Sequence, residues 1–256
     1  MKIPAVLHGL SPQEPPGIRA VDAGALMGKR LHYYDYCMAA FAVILICSNL
    51  IGASKVAVLD LPLFGAVTFG AGILFFPLSY VLGDVLTEVY GYARARRVVW
   101  VGFVAAVFAA GMAAFVVAVP PAPDWGGQGA LASVLGQVPR IFAASILAFW
   151  AGEFANAFVM ARMKVWTEGR HLWTRTIGST VVGQAADSLI FYPLAFLGVW
   201  DTGLVLTVMV TNYLVKVGWE ALLTPLTYQI VGFMKRAEGL DVYDLDTDFT
   251  PFRTRV

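Results

Sequence analysis

Six apolar runs separated by short polar stretches constrain this chain more than any other feature. They lie near Tyr36–Ser54, Val67–Val89, Val98–Val119, Arg140–Ala161, Thr176–Val199 and Leu204–Met234. As helices, runs of this length cross the roughly 30 Å of hydrocarbon in a bilayer. Composition agrees: 59% of the 256 residues are hydrophobic, 14% are charged and the mean hydropathy is +0.70. A soluble domain carries about a quarter charged residues. The expected fold is an all-α membrane protein, a bundle of six transmembrane helices over residues 33–236 with the lipid bilayer as its medium. A Pro/Gly-rich extension (1–32) precedes the bundle and a tail (237–256) follows it. Neither resembles a secretory signal, and both are expected in the cytoplasm. Val56–Gly65 is apolar but short and holds Asp60 and Pro62, so an interfacial turn is expected there. Pro225 predicts a bend or break in the long sixth run.

Basic residues give the orientation. Fifteen of the 18 fall in the N-terminal arm, in the loops after the second and fourth runs, and in the C-terminal tail. Positive charge marks the cytoplasmic side, so both termini are expected there. The net charge of +1 points to no charged partner, and no nucleic-acid partner is expected. Cys37 and Cys47 are ten residues apart in one run, about 15 Å on a helix, too far for a disulfide. Small residues at spacing four in the third run (Ala105, Ala109, Ala113; Ala106, Ala110, Ala114) suit close helix packing. That packing serves the bundle itself or a homodimer.

Polar groups inside these runs are few and paired. Asp84 and Glu88 lie in the second run, Glu153 and Asn156 in the fourth, Gln184 and Asp187 in the fifth, and Asn212, Lys216 and Glu220 in the sixth. Spacings of three and four put each set on one helix face. Ionisable groups at membrane depth are costly and turn inward, toward partners or a cavity. Interhelical glue accounts for some of them. However, Asp84, Glu88, Glu153, Asp187 and Glu220 outnumber the two lysines of these runs, Lys55 and Lys216. Carboxylates without a cation must hold protons or meet a ligand's donors. Lys216 and Glu220, four apart, are expected to pair. Tyr80 and Phe76 stand beside this set, as do Phe75, Phe154, Phe191, Tyr192 and Trp219. No HExxH, GxSxG or CxxC motif is present, and His8, His32 and His171 fall outside the runs. No catalytic residue, metal site or cofactor is expected.

Four blocks carry a family resemblance: FPLSYVLGDVLTEVYGYARARRVVW (Phe76–Trp100), GEFANAFVMARMK (Gly152–Lys164), GQAADSLIFYPLAF (Gly183–Phe196) and KVGWEALLTPLTY (Lys216–Tyr228). Their order and spacing resemble the queuosine precursor transporter family, also called the vitamin uptake transporter group. The resemblance implies six helices arranged like the substrate-binding subunits of energy-coupling-factor transporters. It implies import of 7-deazaguanine precursors of queuosine, such as preQ0 or preQ1, across the bacterial inner membrane. A guanine-type edge presents adjacent N–H and NH₂ groups that one carboxylate accepts together, while aromatic rings stack on the base. The expected substrate-binding set is Glu153, Asn156, Gln184, Asp187, Asn212, Lys216, Glu220, Asp84, Glu88, Tyr80 and Phe76. Two other readings stay open: the binding subunit of a multi-subunit importer, and an intramembrane enzyme. The chain has no nucleotide-binding motif, so ATP could act only through separate subunits.

Overall fold

The computed structural model describes residues 18–22, 31–50, 56–61, 65–70, 75–135 and 139–252. Among these, the elements run β1 (Arg19–Asp22), α1 (Tyr34–Leu50), β2 (Val56–Leu61), β3 (Gly65–Gly70), α2 (Phe76–Tyr90), α3 (Tyr92–Ala118), α4 (Gln128–Leu135), α5 (Pro139–Trp166), α6 (Leu172–Phe196), α7 (Thr202–Glu238) and β4 (Leu240–Tyr243). Six of the helices fall on the six apolar runs, and α4 is a short addition in the loop between α3 and α5. The helices α3, α5 from Ala143, and α7 are long and apolar enough to cross a membrane, and α1 is a shorter apolar helix. Their outward faces are apolar: Phe108 and Phe115 on α3 are 70% and 71% exposed, and Leu214 and Leu222 on α7 are 60% and 64% exposed. Contiguous apolar surface of this kind suits lipid rather than water. The chain is an α-helical, multi-pass bundle of membrane type.

Three features depart from expectation. The second apolar run does not start as a helix: β3 continues to Gly70 and pairs antiparallel with β2, Val56 opposite Gly70 and Leu61 opposite Gly65. A hairpin therefore replaces the expected interfacial turn, and β-branched Val56, Val58, Val67 and Thr68 favour it. The helix that remains, α2, has 15 residues, about 22 Å. Second, the extension, expected to be partly ordered, holds a strand at residues 19–22 that its sequence does not announce. The strand β1 lies parallel to β4, Arg19 opposite Leu240, so segments near both ends of the chain sit side by side. Third, α7 runs unbroken through Pro225 for 37 residues. Thr224 and Thr227 donate to the carbonyls of Glu220 and Leu223 at 3.1 and 3.4 Å, supporting the backbone around a proline that cannot donate. Ser54 and Lys55 lie outside the described residues.

Local chemistry fixes the helix ends. Pro77 opens α2, and Gly91 ends it at φ 82 with its N–H on the Thr87 carbonyl. A Cβ at Gly91 would also lie 2.9 Å from Val242 Cγ1, so only glycine lets β4 pack there. The Asp244 carboxylate accepts from the Tyr92 N–H at 3.0 Å, placing negative charge at the N-terminus of α3. Asp201 caps α7 through Gly203 N at 2.8 Å. Ala106, Ala109 and Ala113 turn into the bundle, where Gly102 admits Phe41 and Leu45 of α1. These three alanines of the small-residue stripe thus serve packing within the chain, while Ala114 is exposed. Both cysteines are free.

Candidate functional site

The helices α5 and α6 form a hairpin, and glycines set how closely they cross. A Cβ at Gly152 would lie 3.0 Å from the Gly183 carbonyl oxygen and 3.0 Å from Asp187 Cβ. A Cβ at Gly183 would lie 2.9 Å from the Gly152 carbonyl oxygen and 2.8 Å from Asn156 Cβ. These contacts are reciprocal. The sequence repeats with them: Gly152-Glu153-Phe154-Ala155-Asn156 on α5 matches Gly183-Gln184-Ala185-Ala186-Asp187 on α6. On α5 the acid comes first and the amide second; on α6 the order is reversed. Backbones brought together by glycine therefore present two carboxyls and two carboxamides at one level.

A narrow cleft opens beside this crossing. Glu153 and Asn156 line it from α5, Thr180, Gln184 and Asp187 from α6, and Tyr80 from α2, with Phe149 and Gly152 completing the wall. Asp84 stands behind Asn156 and accepts from its Nδ2 at 2.8 Å. Lys216 reaches from α7 to Asp187 Oδ2 at 2.5 Å. Several buried acceptors have no hydrogen-bond partner: Asp84 Oδ2, Asn156 Oδ1, Gln184 Oε1 and both oxygens of Glu220. Unpaired buried polar atoms are costly, and the two on residues that line the cleft, Asn156 Oδ1 and Gln184 Oε1, are acceptors.

The structure sorts the expected residues. It brings Tyr80, Glu153, Asn156, Gln184 and Asp187 to the cleft, with Asp84 and Lys216 one hydrogen bond behind. The expected Lys216–Glu220 pair is absent. Spacing of four places the two on one face of α7, but Lys216 pairs across to α6 and leaves the Glu220 carboxylate, 1% exposed, without a partner. Asn212 hydrogen-bonds Tyr192, and Phe76 is half-buried at the start of α2, away from the cleft walls. Phe75 and Trp219 are exposed, while Phe154 packs on Trp100 and Trp150 with ring centroids 6.0 and 5.1 Å apart. Tyr80 and Phe149 are the rings that remain to face a ligand. Sequence reasoning missed Phe149, Thr180 and Gly152. Thr180 was legible as the residue one turn before Gln184, and Gly152 as the first residue of the repeated pentapeptide.

Glu88 belongs elsewhere. At the C-terminal end of α2 it accepts from Arg175 Nε at 2.8 Å and Nη2 at 2.7 Å, and from Lys235 Nζ at 2.6 Å. Lys164 donates to the Glu88 carbonyl oxygen at 2.6 Å and to Asp241 Oδ1 at 2.6 Å. Lys235 also meets Asp241, at 2.7 Å. Three cations and two carboxylates from α2, α5, α6, α7 and β4 thus form one buried cluster. Burial pushes the Asp241 carboxyl up, but Lys164 and Lys235 outweigh it and leave its pKa below the usual value. Asp244 differs: burial pushes it up, and Tyr92 and Thr247 only partly compensate.

Comparison with known proteins settles the family. The family model described as "Putative vitamin uptake transporter" matches residues 70–230, which contain every residue of the cleft. The chain belongs to this vitamin uptake transporter family. The family is one of transporters, so the chain is a membrane transport protein and not an enzyme. A relative from Bacillus subtilis (strain 168), named "Probable queuosine precursor transporter", is 32% identical over 184 residues, 72% of this chain and 78% of the relative. The "Queuosine precursor transporter" of Escherichia coli (strain K12) is 27% identical over 125 residues, 49% of this chain and 54% of the relative. No solved structure matches the chain.

Proposed function

We propose that this protein imports queuosine precursors of the 7-deazaguanine class, such as preQ0 and preQ1, across the bacterial inner membrane. It does so as a six-span carrier with both termini in the cytoplasm. The names of its relatives support the cargo, and the basic-residue bias supports the orientation. The observation that carries the reading is the pair of cleft-lining acceptors at the α5–α6 crossing, Asn156 Oδ1 and Gln184 Oε1, both buried and unpaired. A 7-deazaguanine brings a ring N–H, an exocyclic NH₂ and a pyrrole N–H. Glu153 accepts the adjacent pair, the amides Asn156 and Gln184 take the other edges, and Tyr80 and Phe149 flank the ring. Asp187 remains tied to Lys216. The cleft is narrow, so its walls part to admit the base.

Purified protein in liposomes, supplied with labelled preQ0 and preQ1 and no other subunit, tests this directly. Saturable uptake is expected. Tight binding without transport would instead mark a subunit that needs partners. An analogue lacking the exocyclic NH₂ should bind about 5- to 150-fold weaker, because an unmet buried acceptor costs about 1–3 kcal/mol. Equal affinity for that analogue removes Glu153 from its assigned role.

A further inference from the structure

Glu220 is 1% exposed, and neither of its carboxylate oxygens has a partner. It does not line the cleft. Its electrostatic neighbours are Asp84 on α2 and Glu153 on α5. Asp84 is also 1% exposed; Asn156 occupies Oδ1, while Oδ2 is unpaired. Glu153 is admitted to the same region by Gly83, where a Cβ would lie 2.9 Å from Glu153 Oε2. Three helices thus direct three carboxyls into one dry region, and the nearby cations are engaged elsewhere. Lys216 on α7 holds Asp187 of α6. Arg175 of α6 and Lys235 of α7 hold Glu88 of α2, and Lys235 also holds Asp241 of β4. An uncompensated buried carboxylate is costly, and neighbouring carboxylates disfavour each other's charge. Some counter-charge must be present, either a metal cation or a proton. Among the described residues, no three acids or other ligating side chains gather closely enough to hold a metal ion. A proton on one of these carboxyls meets that need without a set of ligands.

We propose that Glu220, backed by Asp84, is the proton-binding site of a proton-coupled carrier, separate from the cleft that takes the substrate. This rests on the transport reading above. The proton arrives from water on the side to which the protein is open, forms an O–H bond on the Glu220 carboxylate, and leaves to water on the opposite side. Coupling follows from the shared cost of burial. When substrate donors meet Glu153 and Glu220, backed by Asp84, holds a proton, the closed protein buries the fewest uncompensated carboxylates. When either is missing, closure buries a bare charge. Inward movement of substrate and proton is thereby tied together.

The test uses the full chain in liposomes with labelled preQ0 or preQ1, comparing wild type with E220Q and D84N. An inward-directed gradient of one pH unit should drive about tenfold accumulation by wild type at one proton per substrate. The E220Q variant should lose that accumulation and still exchange labelled for unlabelled substrate at equal pH. D84N should show a weakened response to the gradient. Accumulation by E220Q equal to wild type overturns the proposal. So does wild-type exchange that ignores the gradient, which leaves the transport reading standing. If wild type binds neither precursor, the transport reading falls instead. Infrared spectroscopy then decides the proton site alone: a protonated-carboxyl band present in wild type and missing from E220Q supports it, and identical spectra overturn it.

Discussion

Gly152 and Gly183 pack against each other's backbone where α5 crosses α6. A Cβ on either would come within 3.0 Å of the other's carbonyl oxygen. That approach carries Glu153, Asn156, Gln184 and Asp187 to one level, so crossing distance and ligand site are a single structural variable. Gly183→Ala is the sharper probe, because its Cβ would meet Asn156 Cβ at 2.8 Å. Overpacking of this kind costs about 1–3 kcal/mol. Thermal unfolding in detergent should show that loss for G183A, and affinity for the precursor should fall further than stability does. Unchanged affinity in a destabilised G183A would mean that the crossing does not set the site.

The Lys216–Asp187 pair makes a second prediction. Removing Lys216 leaves a half-buried carboxylate without its cation, so K216A should lose more stability than the double variant K216A/D187A. Contacting residues commonly show coupling of about 0.5–3 kcal/mol. Lys216 and Glu220, by contrast, form no ion pair, and the losses from K216A and E220A should couple more weakly than those from K216A and D187A. A double-mutant cycle on thermal stability measures both pairs. Strong coupling of Lys216 to Glu220, with none to Asp187, contradicts the observed pairing.

These pairings show what the chain made legible. The apolar runs placed the helices, and spacings of three and four placed Glu153 with Asn156 and Gln184 with Asp187 on single faces. Those faces do meet at the cleft. Spacing along one helix cannot say which neighbouring helix a side chain meets, because that depends on crossing angle and depth. Lys216 therefore looked like a partner for Glu220, and Glu88 like a member of the site. The same limit hid the hairpin Val56–Gly70, where an apolar β-branched stretch reads equally as strand or helix. The pairing of β1 with β4 joins residues more than two hundred positions apart, and nothing local announces it.

The Glu88 cluster should behave as structure rather than as site. Arg175 makes two hydrogen bonds to a carboxylate whose side chain is 0% exposed. Replacing Arg175 with methionine removes the bidentate partner and leaves Lys235 and Lys164 to compensate. Breaking a buried pair of this kind costs about 3–5 kcal/mol. R175M should therefore unfold at lower temperature, while the discrimination between preQ0 and its deaminated analogue in the surviving folded protein stays unchanged. A shift in that discrimination would place the cluster in the binding site after all.

Acid should loosen the β4 end of the bundle through Asp241. Its pKa is held below the usual carboxylate value by Lys164 and Lys235, against the upward push of burial. A carboxyl with a depressed folded pKa stabilises the protein above its unfolded pKa, near pH 4, and that contribution is lost as pH falls through the lower folded pKa. The loss therefore belongs to the range below about pH 4. Asp244 works in the opposite direction. Its pKa is raised by burial, so its contribution is present at low pH and is lost as pH rises through the folded value. Unfolding temperature measured from pH 7 down to pH 3 should fall at the acid end in wild type. In D241N the protein should be less stable at neutral pH, because Lys164 and Lys235 lose a charged partner, and its acid-end slope should be shallower. D244N should remove the gain in stability that wild type shows as pH falls from 7 toward 4, and should leave the slope below about pH 4 unchanged. A D241N profile parallel to wild type across the whole range would show that this carboxylate does not anchor the two lysines.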